Sequence, residues 1–133
     1  MSDKVEIIKC TEIPYGRVEL RSDNILTFRP DISVFKEYNM PILKELLETF
    51  SEVTEGKPRP YLCDNRYITG IVSREEQAYM NKHFGEFATK AAMITQSPII
   101  KVMLNSYNSI FKPKVELKLF TAEDKAVEWL LID

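Results

Sequence analysis

Two cysteines, one histidine and a scatter of carboxylates are the side chains in this 133-residue sequence that could attack, move a proton or hold a metal. Cys10 and Cys63 are too few and too far apart for a disulfide framework. With the lone His83 they cannot complete a four-ligand zinc site at any usual spacing, so neither a metal nor a cofactor is expected. Cys63 is followed by Asp64, whose charge raises rather than lowers a thiol pKa, and it reads as a core thiol instead of a nucleophile. His83 lies between Lys82 and Phe84 with no acid placed for it, which marks a surface residue, not a general base. Glu75, Glu76, Asp64 and Asp124 could work as paired carboxylates, yet no spacing selects two of them. The sequence therefore predicts a protein without chemistry of its own.

The remaining polar groups are ordered by the elements that must carry them. Val18 and Leu20 oppose Arg17, Glu19 and Arg21, a period of two that predicts strands over the first thirty residues. Pro14-Tyr15-Gly16 and Ser22-Asp23-Asn24 turn the chain between them, giving a three-strand meander. From Ser33 the period lengthens, and Leu43, Leu46, Leu47 and Phe50 share one helical face. Pro41 inside that span predicts a kink or a restart near Asn39, and Gly56 ends the helix. Tyr61-Leu62-Cys63 is an apolar run without polar alternation, which predicts a central strand buried on both faces. A helix opens at Ser73 with Met80, Phe84, Phe87 and Ala88 on one face, and Ala91 to Ile94 form another interior strand. Ser97-Pro98 starts a third helix with Ile99, Met103, Tyr107 and Ile110 inward. Lys114 to Phe120 alternates as a strand near a sheet edge, and Thr121 caps a last helix docked by Ala126, Trp129 and Leu130.

The order is a meander followed by βαβαβα, hence an α/β fold with a mixed sheet and helices packed on it. In open α/β sheets ligands gather beyond the carboxyl ends of the parallel strands. Those ends supply Asp64-Asn65-Arg66, Thr95-Gln96-Ser97 and Thr121, a rim that could hold a small anion or consist only of caps and turn formers. Gly70 stands alone, so no glycine-rich phosphate loop supports the anion.

Charge and composition narrow the partners. Eighteen basic and twenty acidic residues leave a formal charge of −2, which gives no surplus for phosphate neutralisation and excludes a generic nucleic-acid binder. With 44% hydrophobic and 29% charged residues, the chain is expected to fold as one domain over residues 1–133. After Met1-Ser2-Asp3-Lys4 there is no signal-peptide core and nowhere the run of about 18 apolar residues that a membrane span needs. A cytoplasmic protein with two reduced thiols is expected.

The segment Tyr61-Leu62-Cys63-Asp64-Asn65-Arg66, a loop, and then Ser73 opening a helix resembles the strand-loop-serine-helix of STAS domains, the fold of anti-sigma-factor antagonists. Gly56-Lys57-Pro58 and the stretch Phe120 to Leu130 resemble an uncharacterised SpoIIAA-like group of small bacterial proteins, and the likeness spans nearly the whole chain. It implies a SpoIIAA-like (STAS) fold and a non-enzymatic regulatory or interaction domain whose helix-start serine is phosphorylated to switch a protein partner. Antagonists typically carry Asp-Ser-Ser-Gly there, whereas this chain reads Val72-Ser73-Arg74-Glu75. Phosphate at Ser73 would meet free amides and could pair with Arg74 or Arg66. Ser73-Arg74-Glu75-Glu76 equally fits a capping box with a purely structural role. On the resemblance, Asp64, Asn65, Arg66, Ser73 and Arg74 form the partner-binding surface.

The third helix carries more apolar residues than one face needs: Ile99, Ile100, Val102, Met103, Leu104, Tyr107, Ile110 and Phe111. Three uses stand open, namely core burial, a homodimer surface, or cover for a small apolar ligand or lipid tail as in Sec14-like carriers. A carrier would need an apolar cavity of about 300 Å³ or more.

Overall fold

The structure, a computed structural model, describes residues 4–35, 37–68 and 72–132. Met1, Ser2, Asp3 and Gly70, read above from sequence, lie outside the described residues. Strands β1 (Ile7–Ile13), β2 (Gly16–Arg21) and β3 (Leu26–Pro30) come first, followed by helix α1 (Met40–Thr54) and β4 (Arg59–Asp64). Helix α2 (Arg74–His83), β5 (Ala88–Ile94), α3 (Pro98–Phe111), β6 (Leu117–Phe120) and α4 (Glu123–Leu130) complete the order.

The six strands lie side by side in sequence order. β1, β2 and β3 pair antiparallel through short turns, and β3, β4, β5 and β6 pair parallel, each parallel step carrying one helix. Because the parallel strands advance in one direction and the crossovers share a hand, α1, α2 and α3 are brought to the same face. Val18, Leu20, Leu26, Phe28, Tyr61 and Cys63 point to that face and pack with Leu46, Phe50 and Val53 of α1. The alternate residues point the other way: Leu62, Ala92 and Ile94 pack beneath Ala126 and Leu130 of α4. The tripeptide around Leu62 is therefore covered on both sides and sits mid-sheet, as its composition implies.

Several elements begin or end differently from the sequence expectation. α1 does not begin at Ser33: it has the restart expected near Asn39, which is its N-cap and accepts from the Ile42 N–H at 3.0 Å, with Pro41 in the first turn. α2 stops at His83; a 3-10 turn over Phe84–Glu86 follows, and Ala88 already belongs to β5. A shared helical face for Phe87 and Ala88 is thus corrected: these apolar residues lie in the connection and the strand, where Phe87 fills the core. The buried side of α3 is Ile100, Leu104 and Tyr107, whereas Ile99 and Ile110 face outward. Thr121 does not cap α4; the N-cap is Ala122, which has no side-chain oxygen to offer.

Candidate functional site

The carboxyl ends of β3 to β6 define one edge of the sheet, and the local sequence explains what stands there. Arg17 and Glu19 of β2, Thr27 and Arg29 of β3 and Asp64 of β4 alternate with core residues, so they share the α4 face of the sheet. α4 covers β4 to β6 and leaves this part of the face to charged side chains. Arg29 is its centre. Its guanidinium forms a two-pronged ion pair with Glu123 at the start of α4 and stands 3.8 Å from Asp64 and 3.6 Å from Glu19. Glu19 accepts from Thr27 at 3.2 Å and from Arg17 at 3.1 Å. Arg66 donates to both Asp64 oxygens at 2.9 and 2.7 Å, and its backbone N–H donates to the same carboxylate at 3.3 Å.

This wiring fixes the protonation states. Burial alone would raise the Asp64 pKa, but the Arg66 side-chain and backbone hydrogen bonds, with the Arg66 and Arg29 charges, outweigh it and hold the carboxyl below its ordinary range. Arg29 holds Glu123 down in the same way, hydrogen bond first, against partial burial. Both are therefore ionised at neutral pH.

The expected partner surface divides into residues that are occupied and residues that face outward. Asn65 is buried: its N–H continues the β4–β5 ladder to Ile94 at 2.9 Å, and its Oδ1 accepts from Tyr38 at 2.8 Å and from the Cys63 thiol at 3.2 Å. It holds the strand end from inside and does not reach the rim. Arg66 is committed to Asp64. Ser73 is exposed at the start of α2, in a complete capping box: its Oγ accepts from the Glu76 N–H at 3.1 Å, and its own N–H donates to Glu76 at 2.8 Å. Arg74 beside it is exposed.

Along the rest of the rim, Thr95 is fully buried and accepts from the Ser97 N–H at 3.2 Å, while Ser97 caps α3 by accepting from Ile100 at 3.3 Å. Gln96 and Thr121 are exposed. The helix starts thus use their own serines. At α4 the role expected of Thr121 passes to Glu123, whose charge sits at the positive helix end and on Arg29.

Two features of this edge were missed in the sequence. Ile32 and Val34 after β3, and Tyr67 after β4, are large apolar residues left exposed, Tyr67 at 63%. They follow neighbouring strands at the same edge as Arg66. The other is the Arg29–Glu123 pair, for which an arginine inside an interior strand was the available signal, since such a charge must find acids.

Of the remaining candidates, Cys10 is a free, exposed thiol on β1. Cys63 is buried and its thiol is pushed up to about 11, chiefly by burial, so it remains protonated. His83 is paired on the surface with Glu86 at 2.6 Å. Between the sheet and the three crossover helices lies an apolar cavity of about 100 Å³, lined by residues that include Leu46, Phe50, Met80, Ile100 and Leu104, with Tyr38, Cys63 and Asn65 also on its wall. That is a third of the volume a lipid-tail carrier needs. No helix among the described residues is long and apolar enough to cross a membrane.

A mixed sheet in strict sequence order, three helices on one face and one on the other, with a polar loop and a serine-started helix after the central strand, describe a SpoIIAA-like fold. A solved neighbour agrees: an uncharacterised protein of the DUF3478 family with a SpoIIAA-like fold, from Shewanella loihica PV-4, aligns over 98% of each chain with a TM-score of 0.55 at 16% identity. The chain itself belongs to the family of the domain of unknown function DUF7793, whose model matches residues 19–131. No curated protein matches it.

Proposed function

We propose that the protein is a non-enzymatic regulatory module that docks a protein partner on the rim after β4 and the start of α2, with Ser73 as the switching group. The observation that carries this reading is the exposed Ser73 hydroxyl at a helix N-terminus, one loop downstream of a strand that is central and clamped at its end by Asp64 and Asn65. A kinase can reach such a hydroxyl. The phosphate would add about −1.5 to −2 charge where helix amides favour it and would replace Glu76 as the cap, with Arg74 next to it. Tyr67, Ile32 and Val34 give the same edge an apolar contact area. The absence of chemistry in this reading is supported by the state of the reactive groups: a protonated buried thiol, a histidine spent on Glu86 and carboxylates held ionised by arginines. The reading places the chain in the cytoplasm, where ATP and kinases are found.

The test is quantitative capture of partners from native extract by the wild type, Ser73→Ala and Ser73→Asp, with bound proteins measured by mass spectrometry. Ser73→Asp is expected to change the captured set by about tenfold while Ser73→Ala resembles the wild type. Identical capture by all three rejects the switch.

A further inference from the structure

The outer flank of α3 is an apolar surface that no element among the described residues covers. Its core stripe is Ile100, Leu104 and Tyr107, yet Ile99 and Val102 are 59% and 69% exposed, and Ile110 lies outward as well. Ile99, Val102, Ser106 and Ile110 follow i, i+3, i+7 and i+11 spacing, one continuous stripe of about three turns. Between this stripe and α2 runs a groove of about 470 Å³ whose walls include Arg74 and Gln77 on one side and Ile99, Val102, Met103 and Ser106 on the other. Hydrogen bonds tie the α2 side to α3: the Val72 N–H donates to the Met103 sulfur at 3.3 Å, Gln77 donates to the Val72 carbonyl at 3.0 Å, and Tyr107 donates to Asn81 at 3.3 Å.

Charge selects the occupant. Among the described residues Arg74 is the one charged residue lining the groove, and from Phe87 to Val115 the sequence has no aspartate or glutamate but four lysines. A second copy of this chain seated groove to groove offers no acid among the described lining residues to meet Arg74. A bilayer fits poorly as well. Lys101, Asn105, Asn108 and Lys112 form an exposed stripe on the far flank of α3, so its lysines cannot reach headgroups while the apolar stripe is immersed.

We infer that the α2–α3 groove docks an amphipathic helix of the protein partner, its apolar side chains on Ile99, Val102 and Met103 and a carboxylate on Arg74. The inference rests on the protein-partner reading above and names the chemistry of what binds. Helix-in-groove recognition needs apolar anchors at i, i+3 or i+4 and i+7, which the three-turn stripe can accept.

The test is an amide NMR titration of the full chain with a synthetic helical peptide of about 18 residues carrying a leucine stripe flanked by glutamates. The same peptide with lysine for glutamate, and phosphatidylcholine–phosphatidylglycerol vesicles, serve as comparison probes. The glutamate peptide is expected to shift the amides of residues 74–78 and 98–106 and to bind about tenfold tighter than the lysine peptide at low salt. Arg74→Glu should reverse that preference. Val102→Ser, at an exposed position that leaves the melting temperature unchanged, should remove peptide binding. Equal affinity for the two peptides, shifts confined to other elements, binding to vesicles alone, or self-association that Val102→Ser abolishes would each overturn the inference. If the groove fails while Ser73→Asp still alters partner capture, the module reading stands without it. If the groove binds while the Ser73 variants behave alike, the switch is what falls.

Discussion

At the scale of single residues, Ser73 has two duties that pull on different observables. As a cap it satisfies the Glu76 amide, an arrangement whose loss costs about 1 kcal/mol. Ser73→Ala should therefore lower the melting temperature by about 3–6 °C. Ser73→Asp supplies a carboxylate at the same N-cap and should melt close to the wild type. Stability and partner capture then move in opposite variants, which separates the cap from the switch. Asp64 and Glu123 make a second residue-scale prediction. Both carboxyls are held below their ordinary values, so they bind protons less readily folded than unfolded. Their contribution to stability is present above the unfolded value of about 4 and is lost as pH falls through the lower folded values. Urea midpoints should fall steeply below about pH 4, and an Asp64→Asn, Glu123→Gln double variant should be less stable at pH 7 with a flatter acid slope. An unchanged slope would mean the arginine contacts are not felt in solution.

Among the elements, the first hairpin is set by one backbone position. Gly16 has φ +152°, and a Cβ there would lie 2.2 Å from the Arg29 carbonyl oxygen across the β2–β3 pair. Gly16→Ala should cost more than about 1 kcal/mol, seen as a lowered thermal midpoint; a wild-type midpoint would contradict the close approach of these strands. The elements also show how far sequence carries. Period-two and period-3.6 patterns located the elements that turn one face to the core, and unalternating apolar runs located β4 and β5, which are covered on both faces. They failed where two patterns overlap. In α3 apolar residues stand on two flanks, so the inward set was read to include Ile99 and Ile110, which face outward, and to omit Ile100 and Leu104, while Tyr107 is buried as expected. At Thr121 the usual capping residue type pointed one position early, because the start of α4 is held by the Glu123 pair with Arg29, 94 residues away in sequence. No local pattern contains that partner.

For the molecule as a whole, sequential strand order is the property that makes the site. It places β4 in the interior, sends three crossover helices to one face and leaves the loop after Asp64 beside the start of α2. This much was legible, since an unalternating apolar run followed by polar residues and a capping box implies a buried strand opening onto a helix. The exposure of Ile32, Val34 and Tyr67 was not, because their surroundings come from two neighbouring strands far apart in sequence. Burial of Asn65 likewise depends on Tyr38, which reaches it from the segment before α1. The measurement that bears most directly on the central claim is a side-by-side comparison of Ser73→Asp and Ser73→Ala in partner capture, with melting curves of the same preparations. The account predicts an altered set of bound proteins for the aspartate variant at near wild-type melting temperature, and unaltered binding for the less stable alanine variant. Binding that follows melting temperature instead of charge at residue 73 would contradict it.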